Sequence, residues 1–163
     1  MLRLPNQKNR KGKKLRNQSK GEKMQIEYYN QEKFKKDMIT ISKEIIKKKW
    51  QIRNIYGIPR GGLIIATVLS HILNIPVITH ERNINEDTLI VDDISDTGKT
   101  YIDKFEQHPK YAQLRFITIH KKPWTKAEPR ICIKTTEKWV VYWWEKLYKE
   151  TKRIKYKKQN KIK

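Results

Sequence analysis

The chain of 163 residues has a single cysteine, Cys132. That excludes an internal disulfide and makes a reducing, cytoplasmic setting the expectation. No apolar run approaches the roughly 20 residues that cross a bilayer, so no membrane partner is expected. Residues 1–23 lack the apolar stretch of a secretory signal. His71, His80, His108 and His120 have no metal-ligand spacing, and no internal repeat is present. Acidic side chains are scarce, 17 against 38 Lys and Arg, for a net charge of +21. The excess sits at the ends: residues 1–23 and 146–163 carry +8 each, leaving +5 for residues 24–145. The expected organisation is a basic disordered tail (1–23), one domain (24–145) and a basic C-terminal tail (146–163). Such tails touch nucleic acid nonspecifically through counterion release, and no groove-reading motif accompanies them.

Within the domain, Phe34, Met38, Ile41 and Ile45 fall at spacings of four, three and four, which predicts an amphipathic helix over Gln31–Trp50. Asn54–Ile58 reads as a strand ending at Pro59, and Gly61–Gly62 as a turn. Leu63–Leu73 is apolar nearly all round, which predicts a buried helix closed by Asn74. Strands are expected at Val77–Thr79, Thr88–Ile94, Leu114–His120, Ile131–Ile133 and Trp139–Trp143, with a helix over Lys99–Gln107. Alternating strands and helices indicate an α/β fold, a mostly parallel twisted sheet flanked by helices.

The chemistry is concentrated in Ile90-Val91-Asp92-Asp93-Ile94-Ser95-Asp96-Thr97-Gly98-Lys99-Thr100. A buried strand ends in two carboxylates, at the strand terminus where open α/β sheets bind ligands. A glycine-containing turn rich in hydroxyls then leads into a helix, and the N–H groups of such a turn favour phosphate. The Asp pair suits a diol, or a divalent metal that keeps most of its waters. A Walker loop is excluded, because Asp93 stands where its first glycine belongs.

This segment resembles the phosphoribosyl-pyrophosphate (PRPP) signature of type I phosphoribosyltransferases. Tyr56-Gly57-Ile58-Pro59-Arg60-Gly61-Gly62-Leu63 resembles the pyrophosphate loop of the xanthine/guanine/hypoxanthine branch. Lys122-Pro123-Trp124 and Glu137-Lys138-Trp139-Val140-Val141-Tyr142-Trp143-Trp144-Glu145 resemble its small C-terminal base-binding portion. The resemblance implies a magnesium-dependent enzyme that joins PRPP to a 6-oxopurine, usually as a homodimer. It assigns Asp92 and Asp93 to the ribose hydroxyls, with Asp93 nearest Mg2+. Asp96, Thr97, Gly98, Lys99 and Thr100 would wrap the 5′-phosphate, and Asp96 would also manage a purine proton. Arg60 and Gly61 would hold pyrophosphate, with a non-proline cis peptide between them. Lys122 would donate to the 6-oxo group, Trp139 would stack on the base, and the Val140 backbone would read its edge. Two departures stand out. The segment matching the family's mobile lid is only Glu81–Asp87, and Trp143 replaces a frequent proline. A PRPP-sensing, nucleic-acid-binding regulator on the same fold is the alternative reading.

The charge distribution yields a prediction. A chain trimmed to residues 24–150 should lose most nonspecific RNA or DNA affinity, with a flatter dependence of binding on salt. A trimmed chain that binds as tightly as the whole one, over the same salt series, would show that the ends are not the polyanion contact.

Overall fold

The computed structural model describes residues 25–145; the two basic ends lie outside the described residues. A parallel sheet of five strands forms the centre, in the order β3-β2-β4-β5-β6. Its strands are β2 (Asn54–Gly57), β3 (Val77–Ile78), β4 (Thr88–Ser95), β5 (Arg115–Lys121) and β6 (Ile131–Thr135). Two faces follow from the pleat. Ile55, Leu89, Val91, Ile117 and Ile119 point into one apolar cluster with helix α1 (Gln31–Lys47) and helix α2 (Gly61–Leu73). Tyr56, Ile90 and Phe116 point the other way, onto Tyr101 and Phe105 of helix α3 (Lys99–Phe105).

The α1 stripe is buried as its spacing requires, and Asn30 caps the helix by accepting from Lys33 N at 2.9 Å. The helix stops short of Trp50 because Lys49 turns left-handed, at φ 52°. Asn74 ends α2 in the same conformation, at φ 54°.

Several expectations need correction. Gly61 and Gly62 do not make a turn; they are the first residues of α2. Their missing side chains serve close packing, since a Cβ at Gly61 would lie 2.0 Å from Asp93 Oδ2. Helix α2 is not buried all round: Ile65, Ala66 and Leu69 face the core, while Leu63 and Ile72 are exposed. The non-proline cis peptide joins Pro59 to Arg60, one link earlier than expected. Arg60 has helical dihedrals as the N-cap of α2, so its link to Gly61 opens the helix and is trans.

The last strand, β7 (Trp139–Tyr142), does not join the central sheet. It pairs in parallel with β1 (Ile26–Tyr29), a strand the sequence reading missed, to form a two-stranded sheet of its own. Tyr29 and Tyr142 anchor this small sheet in the α1 and α2 cluster. In the central sheet, β2 pairs with β3 on one side and β4 on the other. The connections therefore diverge between β2 and β4, and a crevice opens at the carboxyl ends of those two strands.

Candidate active site

The crevice holds a cavity of about 650 Å3 lined by Arg60, Gly61, Asp92, Asp93 and Trp139, together with Glu145 and Trp144. Five residues expected at one site are thus brought together from β2–α2, β4 and β7. Asp92 Oδ1 accepts from Asp93 N at 2.9 Å, and Asp93 Oδ1 accepts from Ile94 N at 2.8 Å. Burial raises both carboxyls above their ordinary range, and the charge of Asp93 adds to the effect on Asp92. Glu145 adds to the effect on Asp93, so both carboxyls are harder to ionise than a free carboxyl. Among the described residues no salt bridge neutralises either acid. The donor set fits a divalent cation of the magnesium type: two adjacent oxygen ligands, with the remaining positions left to water and phosphate.

The turn expected to bind phosphate is not part of this cavity: Asp96, Thr97, Gly98, Lys99 and Thr100 do not line it. Gly98 has φ 79°, and a Cβ there would sit 2.4 Å from Ala127 N, so only glycine fits. The turn is braced from the loop after β5: Lys126 N donates to Thr97 O at 3.1 Å, and Ser95 Oγ donates to Ala127 O at 2.8 Å. The Lys99 ammonium pairs along α3 with Asp103 at 2.5 Å.

Lys122 and Val140 are likewise outside the cavity lining. Lys122 is 5% exposed, and its ammonium donates to Lys138 O, immediately before Trp139. Val140 is buried in the core, and its backbone lies in the ladder with β1. Trp139 is 53% exposed. Trp124 was quoted in a motif but given no role. Its Nε1 donates to Asp96 Oδ1 at 3.3 Å, and the Lys122 ammonium lies 5.6 Å from its ring centroid. Trp144 and Glu145 were also missed as cavity residues. Trp143 lies elsewhere, in an apolar groove with Phe34 of α1 and Ile72 of α2, so the departure from proline does not touch the site.

The segment matching the lid is a braced turn. Glu81 accepts from the Tyr56 hydroxyl at 2.9 Å and pairs with Lys104. Ile84 is buried, and its carbonyl accepts from His108 Nε2 at 3.1 Å. Arg53 holds Asp87 at 3.2 Å.

The acid pair makes stability depend on pH. A raised carboxyl stabilises the fold at low pH and loses that contribution as pH rises. The free protein with Asp92→Asn should therefore gain thermal stability over wild type from about pH 5 to 9, with the difference vanishing near pH 4. His120, which burial lowers from 6.5 to about 4, acts oppositely: its contribution is lost as pH falls through that window. It is common to both proteins and cancels in the difference. Parallel melting curves that never diverge would contradict the burial of this pair.

No protein-family model matches the sequence, and no curated protein matches it significantly. Solved structures do. A purine phosphoribosyltransferase from Pyrococcus horikoshii Ot3 is 28% identical with a TM-score of 0.62, over 73% of this chain and 93% of that one. The Helicobacter pylori xanthine-guanine-hypoxanthine phosphoribosyltransferase is 20% identical with a TM-score of 0.65, over 78% and 99%. A Neisseria gonorrhoeae hypothetical protein with bound ppGpp is 17% identical with a TM-score of 0.60, over 76% and 91%. With its five-stranded parallel sheet, the chain carries the type I phosphoribosyltransferase fold, and its likeness to the purine enzyme of 28% identity supports an enzyme of that class.

Proposed function

We propose that this protein transfers the phosphoribosyl group of PRPP to a 6-oxopurine (guanine, hypoxanthine or xanthine), giving the nucleoside 5′-monophosphate and pyrophosphate. The observation that carries this reading is the shared cavity. Acids suited to a ribose diol and the Arg60-Gly61 start of α2, suited to pyrophosphate, line one space with an exposed indole. The likeness to purine phosphoribosyltransferases supports the same class of reaction.

In this mechanism the purine N9 lone pair forms the bond to C1′. The bond from C1′ to pyrophosphate breaks, and its electron pair leaves with pyrophosphate. The ring proton at N7 passes to Asp96, whose carboxylate Trp124 orients. Arg60 and the Gly61 backbone bind the departing pyrophosphate, and the turn from Asp96 to Thr100 binds the 5′-phosphate. Asp93, with Asp92 beside it, would hold magnesium, which when bound supplies positive charge to the leaving group. Trp139 aligns the base, and the Val140 backbone reads its edge. An ammonium has three donors and no acceptor; Lys122 gives one to Lys138 and offers another to a 6-oxo group, which an adenine amine cannot match. The proposed working unit is a cytoplasmic homodimer.

The braced segment Glu81–Asp87 favours a second reading, a PRPP-sensing regulator that binds nucleic acid through its basic ends. A product assay with PRPP, magnesium and each of four purines separates the two. Monophosphate should form with 6-oxopurines and not with adenine. A preference for adenine would refute the role of Lys122, and PRPP binding without any product would favour the regulator.

A further inference from the structure

Strand β4 outruns its neighbour β2. The Val91 carbonyl still meets the chain leaving β2, accepting from Ile58 N at 2.9 Å. Residues two apart in a strand direct their carbonyls to the same side, so the Asp93 carbonyl faces the space beyond β2, which ends at Gly57. Tyr142 fills the missing place: its hydroxyl donates to Asp93 O at 3.0 Å.

The hydroxyl has a second partner, His120 Nδ1 of β5, at 2.9 Å. A carbonyl can only accept, so Tyr142 commits its one proton to Asp93, and His120 Nδ1–H donates to the Tyr142 oxygen. Both side chains are buried, and the Tyr29 ring packs edge-on against each, at 5.0 and 5.4 Å. Burial keeps the imidazole neutral; Glu27 opposes that effect, while Lys134, Lys33 and Lys122 reinforce it. Burial also keeps the Tyr142 phenol protonated. Tyr142 closes the strand that begins with Trp139 and Val140.

We propose that Tyr142, held in place by His120, is a positioning residue that fixes the Asp93 peptide, aims the Asp92–Asp93 acid pair at PRPP, and ties that pair to the strand carrying the base platform. The inference rests on the phosphoribosyl-transfer reading. Trp139 and Val140 are held independently by pairing with β1, so losing the Tyr142 hydroxyl should disturb one substrate and spare the other.

The test is steady-state kinetics at saturating magnesium on Tyr142→Phe, His120→Asn and His120→Leu. Tyr142→Phe should raise KM for PRPP about tenfold, the scale of one lost hydrogen bond, and change KM for the purine less than about twofold. His120→Leu should behave alike, whereas His120→Asn, which keeps a donor, should stay within about threefold of wild type. If Tyr142→Phe does not fold, the His120 pair carries the same comparison. An unchanged KM for PRPP, or equal rises for both substrates, would overturn the inference. So would failure of the asparagine to rescue. If the wild type makes no product, the parent reading falls. Calorimetric affinities of the same variants for magnesium-PRPP then decide the inference alone, and a wild type that binds no PRPP ends both.

Discussion

Two half-buried carboxylates held side by side at the end of a parallel strand resist ionisation together. Nothing on the described surface pairs with Asp92 or Asp93, and Glu145 adds a third negative group to the same cavity wall. The surrounding structure is arranged to keep the pair there. Gly61 gives up its side chain so that α2 can start against Asp93, and the divergence of connections between β2 and β4 leaves the pair facing open space.

The rest of the molecule supplies what stands around that pair. Strand β7 stands apart from the central sheet and takes its partner, β1, from the start of the domain. Tyr29 and Tyr142 root this small sheet in the core, while Trp139 stays exposed at its edge. The segment Glu81–Asp87, tied by Tyr56, Lys104, His108 and Arg53, serves as a fixed wall of the β3–β4 connection. Shielding of the reaction from water must then depend on groups other than a long loop between those strands.

Legibility in the sequence tracked the distance over which each feature is encoded. The stripe on α1 and the strand-turn-helix from Ile90 to Thr100 are local, and the structure has them as read. Strand β1 has four residues, of which only Tyr29 is buried, and its partner lies more than a hundred residues away, so no periodic signal announced it. Diglycine usually breaks structure, so the pair after Arg60 reads as a turn in the sequence. Here they answer a steric demand from β4 that only the folded chain reveals. Trp124 was visible as part of a motif, yet its contacts with Asp96 and Lys122 depend on two loops meeting in space. Trp144 and Glu145 reach the cavity through the placement of β7.

The central claim is that the half-buried acid pair recognises a pyrophosphorylated sugar through a shared divalent cation. Titration calorimetry of the whole protein with PRPP, once with magnesium and once with chelator, tests it most directly. The account predicts binding only with magnesium. It also predicts that the heat varies with the ionisation enthalpy of the buffer, because the proton on the pair must leave as the cation arrives. Equally tight binding in chelator, with no proton released, would contradict it.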